Sequence, residues 1–166
     1  WLILFRSTPS RGSEALLGLV PPDAACIIES SKPADMLKEF RQTSLWKDLM
    51  EIREVRIGED YFRRMDTLLV SCRHLKKSIS EYPAVAGIWM AADSTPGVFV
   101  ILEVPSRIQR TKWRRLIGEM AVGREITSAR HMGKKINIIK NTSGSGGFYY
   151  SFIKNYLIAG NDSALQ

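Results

Sequence analysis

A chain of 166 residues, 45% hydrophobic and 25% charged, has the size and balance of one folded domain, which excludes an intrinsically disordered segment. Its formal net charge of +7 is confined to one region: residues 106–140 hold ten Lys/Arg against Glu119 and Glu125, and the remainder is nearly neutral. Two cysteines with no CxxC or Cys/His spacing exclude the usual structural zinc frameworks.

Residues 1–5, WLILF, are too few to span a bilayer, which needs about 20 apolar residues. They fit the last turn and a half of such a helix, with Trp1 and Phe5 near the headgroups and Arg6 beyond them. They fit equally an apolar strand of the domain itself. Under the first reading residues 6–18, beginning RSTPSRGS, are a stalk or linker. Residues 19–166 then form a single α+β domain cut short at its C-terminus.

The run AACIIES (24–30) reads as a short strand with β-branched residues and a polar exit. Ser31 is the expected cap of a helix with Pro33 in its first turn and Met36, Leu37 and Phe40 on one side. Ser44 is the expected cap of a second, with Leu45, Trp46 and Leu49 facing inward. Tyr61, Phe62, Met65, Leu68, Leu69, Cys72 and Leu75 recur at intervals of three and four and predict a longer helix over 60–77. Cys26 and Cys72 both lie in apolar contexts and are expected as buried thiols; in an oxidising compartment they could instead pair.

The period then changes. Residues 84–92 and 98–104 flank DSTPG and predict a mostly buried antiparallel hairpin. Residues 106–120 return to helix, with Trp113, Leu116, Ile117 and Met120 as the apolar stripe. Four short strands follow at 126–132, 135–140, 148–153 and 156–160, and the closing NDSALQ reads as a helix start capped by Asp162 or Ser163. The whole predicts an α+β fold: an antiparallel sheet with helices packed mainly on one face.

The chemistry-bearing residues do not assemble into a catalytic motif. The loop NTSGSGG (141–147) leads into a strand rather than a helix and has no Lys-Ser/Thr pair, so it is expected to be a hairpin connection and not a phosphate loop. His74 and His131 have no neighbouring ligand at metal spacing, and no Gly-x-Ser-x-Gly elbow occurs. Asn141-Thr142-Ser143 and Asn161-Asp162-Ser163 match the glycosylation tripeptide, a pattern common by chance. No enzyme activity, cofactor, metal or small-molecule substrate is expected.

The most suggestive segment is RIQRTKWRRLIGEM (107–120), in which Arg107, Arg110, Lys112, Arg114 and Arg115 surround the apolar stripe. Three readings compete. The helix could pack into the core with its basic rim merely solvated. It could lie against an anionic membrane surface, with Trp113 in the headgroup zone. It could neutralise nucleic-acid phosphates, a reading disfavoured because no stacking strand or recognition helix accompanies it.

In order along the chain, LLGLVPPDAACIIES, SSKPADMLKEFRQTSLWKDL and GGFYYSFIKNYLIAGNDSAL resemble a domain-of-unknown-function family of bacterial envelope proteins. The resemblance spans most of residues 16–165 and implies one transmembrane helix followed by an extracytoplasmic α+β region. The basic 106–140 stretch departs from it, and the family offers no catalytic residues to carry over. The implied protein is a non-enzymatic domain on the periplasmic side of the cytoplasmic membrane, held by the N-terminal anchor and acting through protein, self-association or envelope contacts. The alternative is a polyanion-binding module using residues 106–140.

Overall fold

The structure is a computed structural model that describes residues 3–6, 13–51, 79–90, 96–140 and 147–162. The helix expected over 60–77, with Cys72 and His74, therefore lies outside the described residues, as do Asp93, Ser94 and Thr95 of the DSTPG turn, the loop 141–146 and Ser163.

Eight strands make one sheet: β1 (Ile3–Arg6), β2 (Ala24–Ser30), β3 (Ala84–Met90), β4 (Pro96–Glu103), β5 (Ile126–His131), β6 (Lys134–Lys140), β7 (Gly147–Ile153) and β8 (Tyr156–Asp162). Their spatial order is β1-β2-β3-β4-β8-β7-β6-β5. Every neighbouring pair is antiparallel except β1 with β2, which is parallel from Ile3↔Cys26 to Arg6↔Glu29. Helices among the described residues include α1 (Ser13–Leu17), α2 (Pro33–Phe40), α3 (Ser44–Leu49) and α4 (Arg107–Met120). The α+β class and the antiparallel pairing are as the periodicity predicts.

Ile3–Arg6 form an edge strand parallel to β2, as the strand reading of WLILF expects; β2 offers an open ladder that extended apolar residues complete. The proposed stalk also contains structure: Ser13–Leu17 form a helical turn and Leu16 is fully buried. No helix among the described residues is long and apolar enough to cross a membrane. At the other end β8 runs to Asp162, and the helix start expected beyond it lies outside the described residues.

The core has two parts, set by strand alternation. Consecutive residues Ala84 and Val85 in β3, and Ile101 and Leu102 in β4, are all buried, so the middle of the sheet is apolar on both faces and needs cover on both. On one face Ala84, Leu102, Ile139, Tyr150 and Leu157 pack with Trp113, Leu116, Ile117 and Ala121 of α4 and its C-terminal cap. On the other, Ile27, Val85, Phe99 and Ile101 pack with Leu16 of α1. Among the described helices α4 thus covers one face and α1 part of the other.

Local chemistry sets the helix starts. Thr43, not Ser44, is the N-cap of α3; its hydroxyl accepts from the Trp46 amide at 3.1 Å. Ser106 caps α4 in a reciprocal box: its Oγ accepts from the Gln109 amide at 3.0 Å, and the Gln109 side chain accepts from the Ser106 amide at 3.2 Å. This use of its side chain accounts for the burial of Gln109 beside Trp113. Ser106→Ala is expected to cost about 1 kcal/mol, read as a lower urea midpoint at unchanged slope; no shift would mean that the box contributes nothing.

Candidate functional site

The helical period divides the five cations proposed as a group. At 100° per residue Arg107, Arg110 and Arg114 fall within about 60° of one another, Arg115 lies about 80° beyond Arg107, and Lys112 is on the opposite flank of the helix. Arg115 is paired with Glu119 at 3.4 Å, an exposed bridge of small energetic weight. Arg107 also lines a shallow depression with Ile108, Thr111 and Lys112, so the five spread across the exposed side of α4 with Arg110 and Arg114 on one flank.

The three arginines share the flank of α4 that overhangs β7, β6 and β5. Arg114 places its guanidinium carbon 5.0 Å from the centroid of the Phe152 ring, a cation–π contact that fixes which way this flank faces. Phe152 in turn meets Tyr150 edge-on, with centroids 6.1 Å apart. Arg110 reaches the turn between β7 and β8, where its Nη1 donates to the Lys154 carbonyl at 3.1 Å. The Arg110 Nε is shielded and has no acceptor among the described residues.

The neighbouring hairpin adds two more cations to the same side. Arg130 and Lys135 are cross-strand partners of β5 and β6, in step with Asn137↔Tyr150 and Ile139↔Phe148. Alternation puts them on the face shared by Ile139 and Tyr150, the face that α4 covers. The Lys135 carbonyl accepts from Ser151 Oγ at 2.7 Å, which ties Lys135 beside Phe152 and hence beside Arg114. Arg130 and Lys135 are exposed, as is Ser128. The strip of this face between α4 and the β5–β6 hairpin, with Lys154 in the turn at its end, is the basic trough.

Acidic residues lie elsewhere. Glu125 is held by Lys140, whose Nζ donates to both carboxylate oxygens at 3.1 Å, at the far end of β6. Glu119 faces away with Arg115, and Glu103 pairs with Tyr156 on the opposite face of the sheet. Glu125, Glu119 and Glu103 thus stand away from these cations and leave their charge to act on an anion.

Several residues singled out by their sequence context take other roles in the fold. Trp113 is 5% exposed and sits in the core, so it cannot reach a headgroup zone. His131 is exposed on β5, and no group of three His, Cys, Asp or Glu residues that could hold a metal occurs among the described residues. Cys26 is a free, partly buried thiol, and burial raises its pKa, which keeps it protonated and unreactive at neutral pH. Burial likewise raises the pKa of Tyr150, opposed in part by the charge of Arg114. Arg130 and Lys135 fall within the basic segment 106–140 expected from sequence, whereas Lys154 lies outside it and joins α4 only through strand order. Comparison with known proteins finds no matching family model, no matching curated protein and no matching solved structure.

Proposed function

We propose that this domain is a non-enzymatic binding module that takes a polyanion in the trough between α4 and the β5–β6 hairpin. The observation that supports the reading is that Arg110 and Arg114 of α4 and the cross-strand pair Arg130 and Lys135 fall on the same face of the sheet, with Arg107 one turn before Arg110 on α4. Arginine suits the task because its planar fork meets paired anion oxygens, and the shielded Arg110 Nε offers one more donor. Salt titration of heparin or DNA affinity tests it. Replacing Arg107, Arg114, Arg130 and Lys135 by Ser should weaken binding about 100-fold at low salt and flatten the salt dependence by roughly three to four ions. Replacing Lys112 and Arg115 instead should have a small effect. Equal loss from the two sets would show that only net charge matters and would defeat the trough.

A second reading keeps the domain at the extracytoplasmic face of the cytoplasmic membrane, acting through envelope contacts. Its support is the ordered resemblance of residues 16–165, and its test is fractionation of cells carrying the full-length protein, where recovery in the soluble cytosol defeats it. The fold adds a geometric consequence. Ile3 opens β1 in the row of Cys26, Ile88 and Val98, at the end of the sheet opposite the β5–β6 and β7–β8 turns. An anchor ahead of Trp1 would hold the basic end away from its own bilayer.

A further inference from the structure

At the basic end of the sheet, two apolar side chains stand where neither folding nor solubility calls for them. The β5–β6 connection is the two-residue turn Met132-Gly133, closing the pair His131↔Lys134. Both turn residues have positive φ, 47° at Met132 and 75° at Gly133. Such turns favour Asn, Asp or Gly at the first position, and an unbranched apolar residue there is strained. Met132 is nevertheless 88% exposed, the most exposed large hydrophobic side chain of the described residues. The second is Ile108, 64% exposed in the first turn of α4. Its Cα–Cβ bond, like all those of a helix, leans toward the helix N-terminus and so toward the same end of the molecule.

That the two share an end follows from the contacts. Val104 donates to the Asn155 carbonyl at 2.6 Å, and Arg110 donates to the Lys154 carbonyl, so the start of α4 adjoins the β7–β8 turn. The antiparallel register Asn137↔Tyr150 sets the β5–β6 turn beside it. Around the two apolar tips stand Arg107, Arg130, Lys134, Lys135 and Lys154, all exposed.

We propose that this end docks on an anionic lipid bilayer, with Met132 and Ile108 entering the headgroup layer and the surrounding cations meeting lipid phosphates. The inference rests on the polyanion reading above and narrows its ligand to a surface that has both negative charge and an apolar interior. A soluble polyanion would use the cations and leave the apolar tips in water, where they bring nothing. Cations near an anionic membrane add about fivefold each in affinity, and an inserted apolar side chain adds about tenfold or more. The two together suit reversible, peripheral attachment rather than a spanning anchor.

The experiment compares co-sedimentation of the full chain with phosphatidylcholine vesicles, with the same vesicles containing phosphatidylglycerol, and its retention on heparin. Expected is binding to the phosphatidylglycerol vesicles alone among the lipids. Met132→Asn, together with Ile108→Asn, should lower that binding about tenfold or more with heparin retention unchanged. Met132→Asn by itself should raise the melting temperature, because asparagine fits the positive φ, so weaker vesicle binding from a more stable protein could not be blamed on unfolding. Unchanged vesicle binding in the double variant, or an equal loss on heparin, overturns the insertion. Heparin retention with no vesicle binding overturns the lipid inference and leaves the polyanion reading standing. Failure to bind either, or equal binding to neutral vesicles, overturns both.

Discussion

Replacing Trp113 by alanine is expected to cost about 3–5 kcal/mol, the largest loss among single truncations on α4. The indole is 5% exposed and packs with Leu102, Val104, Ile139, Tyr150 and Leu157, so it touches strands from both halves of the sheet. An isolated helix of this length is marginal in water, and α4 is held by packing from few buried positions: Gln109, Trp113, Leu116 and Ile117. Removing the largest of them leaves a cavity that strands fixed by ladders on both sides cannot close. Trp113→Phe should be far milder, within about 1.5 kcal/mol, because the indole Nε1 has no acceptor among the described residues and its loss strands no partner. Urea unfolding of the three proteins measures the difference. The functional readout should follow the structural one: Trp113→Ala keeps every arginine yet should weaken heparin binding at temperatures where the helix has loosened. A midpoint for the alanine variant equal to that of the phenylalanine variant would mean that α4 is not docked through this residue.

The packing of α4 was legible in the sequence. The stripe Trp113, Leu116, Ile117 is a period-3.6 signal strong enough to read, and each of the three is buried. The strands were equally readable at FYYSFI, where Tyr150 is buried between the more exposed Tyr149 and Phe148 on one side and Phe152 on the other. The faces of the sheet were not readable. Ala84-Val85 and Ile101-Leu102 are apolar at consecutive positions, so alternation is silent about which residue meets α4 and which meets α1. Leu16 illustrates the cost of that silence: it follows Ser, Gly and Pro and looks like linker, yet it seals one face at 0% exposure.

The trough was half legible for a similar reason. Arg107, Arg110 and Arg114 are spaced i, i+3, i+7 and fall in one arc of about 60°, with Arg115 about 80° beyond it and Lys112 on the opposite flank. Proximity in sequence suggested one group of five; helical geometry spreads the five across the exposed side. That Arg130 and Lys135 join the three depends on β7 lying between β8 and β6, and strand order is a global property that no local pattern carries. Residues distant in sequence met at the site through topology, whereas residues adjacent in sequence were parted by the turn of a helix.

The same substitution should have opposite signs at two glycines, and the contrast tests the packing of the sheet against that of the helix surface. Gly87 sits in β3 between β2 and β4. A Cβ there would run into the Cys26 carbonyl oxygen and lie 2.6 Å from Phe99 Cζ. The carbonyl belongs to a ladder whose spacing is set by its hydrogen bonds, and the ring is 6% exposed among Ile27, Val85 and Ile101. Neither can move without disturbing the core on the α1 side, so Gly87→Ala is expected to lose about 3 kcal/mol and to unfold at a markedly lower temperature. Gly118 lies in α4 on its exposed side, where a Cβ would meet nothing within 4 Å. There the methyl removes backbone freedom from the unfolded chain and raises helix propensity, for an expected gain of about 0.5–1 kcal/mol. Urea midpoints of the two variants against the parent decide the matter: a Gly87→Ala protein as stable as the parent would mean that β2, β3 and β4 are not packed at this register. Because the added methyl meets nothing within 4 Å and removes no cation, Gly118→Ala should also leave heparin retention intact, which separates stability of the scaffold from the anion chemistry it carries.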